Sequence, residues 1–297
     1  MLAEQDRIKR LLNEFLNPAF NLDNDAVDSA KQIAVWHERQ RPCYPPRRCK
    51  CPGCNPPGGE NITVTTLPRF NGGWHLPNSG PLCDILLDVK SILGIYLHGS
   101  YATGHNVESS DVDLTYIIAD SVASNPEALL DLQLELSNMT EYLFRVDPLQ
   151  HHGPYILSQR MLRSYLECYL PLDVWRNSRP IKGGMSITFN VIKSEEHDKA
   201  AFEKSLKYYN MDIDLSTEYL RKRFVCMANM IPAVLYPWKT GKYTTKYEAT
   251  KWMRREYTFT AGWALELYVR RETGGYDQID SLVKQTKDIC NRIKEMG

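Results

Sequence analysis

Apolar and polar positions along this chain change rhythm twice. Up to about residue 40 they repeat at helical spacing. Leu2, Ile8, Leu11, Leu12, Phe15 and Leu16 share one face ahead of Asn17-Pro18, and Val27, Ala30, Ile33, Ala34 and Trp36 share another over residues 25–39. Between residues 58 and 193 short β-branched or alternating runs predict strands at 61–67, 94–98, 113–119, 141–147 and 185–192. Helices fit at 84–92, 126–138 and 155–169, although residues 130–136 also alternate like a strand. Arg179-Pro180 and Gly183-Gly184 read as turns.

Beyond residue 194 the period returns to about 3.6 and predicts helices at 195–209, 216–236, 246–271 and 277–295. Leu220, Phe224, Met227, Ala228, Ile231 and Leu235 form one stripe; Phe259, Trp263 and Leu267 form another. Pro232 should kink or divide its helix, and Ser216 and Asp277 are the expected N-caps. The pattern is that of an α+β protein with three parts, residues 1–57, 58–193 and 194–297.

Composition narrows the classes of function. A chain of 297 residues can bury a substantial core. Its 36 basic and 36 acidic residues cancel, so no global field draws it to nucleic acid or membrane. Residues 1–20 lack the apolar core of a signal peptide and no long apolar span follows, which predicts a soluble cytoplasmic protein with no membrane partner.

The chemistry is concentrated in Leu97–Asp120. An apolar run ends in Gly99-Ser100, a polar turn follows, and Asp111-Val112-Asp113 opens a second apolar run. On a strand the two aspartates point to one face, roughly 6–7 Å apart. Paired carboxylates beside a Gly-Ser turn can grip a hard divalent cation that also binds substrate phosphates. Gly99 allows close approach of backbone to a phosphate, and Ser100 adds a hydroxyl and an N–H. A helical half-turn over Ser100–Ser110 would aim further N–H groups at the same phosphate.

Gly99-Ser100, ten intervening residues and Asp111-x-Asp113 resemble the signature of the DNA-polymerase-β-like nucleotidyltransferase superfamily. The resemblance implies a mixed β-sheet with flanking helices, an α-helical C-terminal domain closing a nucleotide cleft, and an NTP as substrate. It also implies two Mg²⁺ or Mn²⁺ ions on Asp111 and Asp113. A third carboxylate, on a strand beside the pair, would complete the metal set and deprotonate the acceptor. Asp147 is the matching residue, with Glu141 and Asp173 as fallbacks. Gly99, Ser100 and Ser110 would seat phosphates; Lys207, Tyr208, Arg221, Lys222 and Arg223 on the C-terminal helices could touch phosphate or base. His98, His105, His151 and His152 lie near the inferred site as helpers or as ordinary packing histidines. Tyr243, Tyr247, Trp252, Tyr257 and Trp263 could stack a base or fill a core.

Four of the eight cysteines fall within twelve residues. Cys43, Cys49, Cys51 and Cys54 fit around one tetrahedral ion, which predicts a four-cysteine zinc knuckle in the N-terminal part, with disulfides or a free loop as alternatives. A redox role for Cys51-Pro-Gly-Cys54 lacks a surrounding βαβ pattern. Cys83, Cys168, Cys226 and Cys290 read as buried thiols. Arg39, Arg41, Arg47, Arg48 and Lys50 make the knuckle basic enough to meet an RNA or DNA acceptor. The expected function is transfer of an NMP from an NTP, ATP foremost, to an RNA 3′ end, a small molecule, a protein hydroxyl or a second nucleotide. The non-enzymatic alternative is an inactive module of this fold that binds RNA or a protein partner.

Overall fold

The computed structural model describes residues 59–71, 91–107, 110–123, 125–133, 136, 143, 148–150, 153–168, 170–193, 195–210 and 213–296. The N-terminal helices, Cys43, Cys49, Cys51, Cys54, the basic residues among them, Cys83, the 84–90 segment, Glu141, Asp147, His151 and His152 lie outside the described residues.

The chain builds a mixed α+β architecture. Strand β1 (Glu60–Thr65) is followed by β2 (Ile92–His98), the short helix α1 (Gly99–Thr103), β3 (Asp113–Ile118) and one further turn, α2 (Asp120–Ala123). Residues 126–133 are helical, as their Leu spacing predicts. Then come β4 (Tyr155–Ser158), α3 (Gln159–Leu162), α4 (Leu172–Arg176), β5 (Arg179–Lys182) and β6 (Ser186–Val191). The C-terminal part is helical: α5 (Glu195–Asn210), α6 (Glu218–Ala228), α7 (Ile231–Thr240), α8 (Lys246–Glu256), α9 (Ala261–Thr273) and α10 (Asp280–Glu295).

Four strands form a sheet in the order β4-β3-β2-β5, parallel between β3 and β4 and antiparallel elsewhere. β1 and β6 make a separate antiparallel pair. Because side chains alternate across a strand, the four-stranded sheet divides two cores. Ile95, Leu97, Leu114, Tyr116 and Ile118 pack with Ala102 and Leu132 on one side. Tyr96, Ile117 and Leu157 pack with Tyr165, Trp175 and Phe189 on the other. A third core, with Phe224, Leu235, Trp263, Leu267, Leu282 and Ile293, belongs to the helices.

Several elements differ from the sequence reading. β3 is flanked by β2 and β4; of the segment expected as a strand over 141–147 only Leu143 is described, and it is buried and helical. The helix expected over 155–169 begins instead as β4. Ile156 and Leu157 face opposite cores there, and Ser158 stops the strand by capping α3, accepting the Met161 N–H at 3.4 Å. Arg179-Pro180 is the start of a strand rather than a turn. A proline is tolerated in β5 because that strand is an edge of the sheet.

The expected 216–236 helix divides at residues 229–230, and Pro232 sits in the first turn of α7, where its missing N–H costs nothing. The 246–271 helix is interrupted by a 3₁₀ turn at Thr258–Thr260. Thr260 donates its hydroxyl to the Tyr257 carbonyl there, a local bond that competes with helix continuation. Thr217 rather than Ser216 caps α6, accepting the Leu220 N–H at 3.2 Å, and Ile279 rather than Asp277 precedes α10.

Candidate active site

The site grows out of the β2–α1–β3 corner. His98 and Asp113 face each other as register partners at the end of the β2–β3 ladder. His98 is buried and hydrogen-bonds Thr115 Oγ1 through Nε2 at 3.0 Å, so it holds the strand end in place. The chain then turns at Gly99 with φ of 67°, a left-handed conformation glycine adopts without strain. A Cβ at Gly99 would lie 2.1 Å from Asp113 Oδ2. Only a bare backbone lets the Asp113 carboxylate rest against the first turn of α1.

Four further contacts fix the corner. Gly104, also left-handed, closes α1 with its N–H on the Ser100 carbonyl. Arg179 of β5 donates from Nε to the Ala102 carbonyl at 2.7 Å and stacks over Phe70. Ser110 is buried and its hydroxyl accepts the Val107 N–H at 2.9 Å, so it fastens the turn ahead of the aspartates.

The backbone between the two aspartates is held from outside the sheet. Val112 donates its N–H to Gln150 Oε1 at 2.9 Å, and Gln150 Nε2 donates back to the Val112 carbonyl at 3.3 Å. Gln150 is 1% exposed, and its amide does for residue 112 what a neighbouring strand would have done. Nothing in the sequence pattern singled out this glutamine.

The helical part supplies the opposite charge. Lys222 of α6, 0% exposed, places its ammonium 2.5 Å from Oδ1 of Asp111, which is 12% exposed. Lys246, the first residue of α8, also feels both carboxylates. Loss of solvent and then the Arg271 charge lower its pKa, while Asp113 and Asp111 oppose the shift. Cys226, one turn after Lys222, is pushed up to about 12 by burial and then by Asp111, against the pull of Lys222, Lys246 and Arg271. Tyr155 at the start of β4 is raised to about 12 by desolvation and then by Asp113 and Asp111, even though 44% of the residue is exposed. Its ring centroid lies 5.7 Å from that of His98. The aspartate pair thus has Lys222 in contact with Asp111, and Tyr155, Cys226 and Lys246 within its electrostatic reach.

The sequence-predicted residues do not all gather here. Asp113 rests against Gly99 at the corner, Asp111 lies two residues ahead of it with Lys222 on its carboxylate, and Ser100 follows Gly99 in α1. Arg221 turns away. Its guanidinium donates to the Leu215 and Ser216 carbonyls and pairs with Asp277. There it lines an open hollow of about 470 Å³ with Gln278, Ile279 and Asp280. Lys207 is exposed in the last turn of α5. Asp173 pairs with Arg176 on α4. Trp263 fills the helical core and donates to Thr286 Oγ1 at 2.9 Å, while Tyr243 bonds Asp198. Lys246, Tyr155 and Gln150 were missed by the sequence reading because each comes from an element whose packing no local pattern reveals.

The donor set fits a hard dication at Asp113 and Asp111 in chemistry, with the backbone cradle at Gly99 leaving Asp113 room. Among the described residues no group of three or more His, Cys, Asp or Glu converges as a metal cluster.

Residues 82–166 match the family model of polymerase beta nucleotidyltransferases, a span that contains β2, α1, β3, the Asp111-x-Asp113 pair and β4. The match supports, for this segment, the resemblance to the DNA-polymerase-β-like nucleotidyltransferase superfamily. No curated protein matches the chain. Among the described residues no helix is long and apolar enough to cross a membrane.

Proposed function

We propose that the chain is a metal-dependent nucleotidyltransferase that moves an NMP from an NTP, ATP foremost, to an acceptor hydroxyl and releases pyrophosphate. The observation that carries this reading is the Asp113 carboxylate seated against the Gly99 backbone, with Asp111 beside it, inside the matched segment. Mg²⁺ or Mn²⁺ bound there would acidify the acceptor hydroxyl and neutralise charge on the departing pyrophosphate. The chain's own residues do the rest. Asp111 and Asp113 supply the ligand oxygens, and Gln150 keeps the backbone between them from shifting. Gly99 and Ser100 offer a bare turn for the triphosphate, and Lys246 brings positive charge to its side. Such fixed charges act in the transition state without reorganising, which is where most of the rate effect arises.

Tyr155, whose phenol stays protonated at neutral pH, serves as a hydrogen-bond donor and not as a base. The base is assigned to Asp147, which lies outside the described residues. Residues 194–297 act as the domain that closes over the nucleotide, with Lys207 at its outer face. The Cys43, Cys49, Cys51 and Cys54 knuckle holds structural zinc and offers its basic residues to an RNA 3′ end; a small molecule, protein or nucleotide acceptor would bypass it.

A second reading has one observation in its favour. Neither strand beside β3, Ile-Leu-Gly-Ile-Tyr-Leu-His or Tyr-Ile-Leu-Ser, carries a carboxylate, which suits an inactive module that binds RNA or a protein. Incubation with each α-labelled NTP and Mg²⁺ or Mn²⁺, with and without RNA, separates the two. Label entering a polymer, protein or small product identifies the acceptor, whereas salt-dependent RNA binding without pyrophosphate release supports the binding module.

A further inference from the structure

We propose that Lys222 is a resident cation of the metal site, its ammonium filling at Asp111 the place of one of the two divalent ions. The inference rests on the nucleotidyltransferase reading and deepens it. Lys222 shares its face of α6 with Tyr219 and Val225, both buried, and with Cys226 one turn on. A lysine in such a position loses all hydration of its charge, a cost that its polar contacts must offset. An apolar residue of the same length would serve the packing better. The ammonium is therefore best understood through its partner. It reaches 111 residues back along the chain to the first aspartate of the motif and touches Oδ1 directly.

The surroundings reinforce this. Lys246 and Arg271 stand on neighbouring helices close enough to influence Cys226, as Lys222 does. A second dication at Asp111 would meet a desolvated ammonium at the same carboxylate. One divalent ion plus Lys222 satisfies the same pair of carboxylates without that repulsion. The lysine is offered by the helical part and the carboxylate by the sheet, so the pair also sets how these two parts of the chain meet at the site.

The test is a count of bound Mn²⁺ on the full chain with its cysteines zinc-loaded, by equilibrium dialysis or by the loss of the free-ion EPR signal. No turnover is needed. The expected result is one Mn²⁺ per parent chain, one more in Lys222→Met, and loss of that gain in the Asp111→Asn/Lys222→Met double variant. Lys222→Arg, which keeps the charge, should bind as the parent does. Equal counts in the parent and Lys222→Met overturn the proposal. Should Lys222→Met not fold, the parent count decides alone, because two ions overturn the proposal and one supports it. Failure of the transferase reading would appear separately, as no pyrophosphate release from a parent chain whose Mn²⁺ count is unchanged.

Discussion

The sheet and the helical part contribute to the site in opposite ways. The sheet brings the negative charge on short, rigid elements close together in sequence, with His98, Gly99, Asp111 and Asp113 all within one strand-turn-strand corner. The helices bring the positive charge from scattered places: Lys222 on α6, Lys246 on α8 and Arg271 on α9. Carboxylates that would share an ion, as proposed, need fixed geometry, which the β2–β3 ladder gives Asp113 and the Gln150 amide gives the backbone after Asp111. Cations that meet a flexible polyphosphate need only to be near, and helix faces packed on a common core suffice. The pair of Lys222 with Asp111 links the two halves directly at this place, and four changes should break or sharpen the contrast.

Truncation of that link has the largest effect. Lys222→Ala leaves Asp111 uncompensated where little water reaches it and should cost about 3–5 kcal/mol in urea unfolding. The double variant Asp111→Asn/Lys222→Met removes both charges and should recover most of the loss. Were the single change nearly neutral, the sheet and helices would not be coupled there.

On the sheet side, Gln150→Leu strips two partners from Val112 and should destabilise by about 1–3 kcal/mol for each buried group left unpaired. Transfer should fall further than stability alone explains, because the aspartates move with their backbone. Gly99→Ala forces a Cβ into Asp113 and a side chain into a left-handed conformation, a strain of about 1–3 kcal/mol. Its melting temperature should drop modestly while NTP-dependent activity collapses; an active Gly99→Ala protein would mean that Asp113 does not need this seat.

The smallest effect lies on the helices. Cys226 is held as a neutral thiol, so alkylation at pH 8 should be far slower in the native chain than in urea. Its raised pKa contributes stability that is complete below pH about 9 and is lost as pH climbs toward about 12. Thiol labelling that is equally fast in folded and unfolded protein would place Cys226 outside this charged cluster.

How much of this was readable follows the same division. The Gly-Ser turn announces itself because a turn needs glycine, but the two-residue period holds for the aspartates only in part, since β3 begins at Asp113 and Asp111 lies ahead of it. Helix positions after residue 194 were legible from their stripes, apart from the breaks at 229–230 and 258–260, where capping and threonine hydroxyls override the period. The β4 strand was read as helix because Gln159 begins a helix immediately after it. Lys222 stood in a run of three cations, Arg221-Lys222-Arg223, in which pattern alone could not say which faces inward. Packing decides it. Arg221 caps the preceding loop, and Lys222, one residue on, points to the sheet. Gln150 and Lys246 gave no signal at all, since a glutamine in a loop and a lysine at a helix start are ordinary on any surface.

Asp113→Asn tests the central claim most directly, because this carboxylate touches the Gly99 seat and its loss leaves the Lys222–Asp111 pair in place. Pyrophosphate release from NTP and Mn²⁺ should fall by at least about 10²–10³-fold, with folding retained. Undiminished release by a folded Asp113→Asn chain would remove the aspartate pair from the reaction.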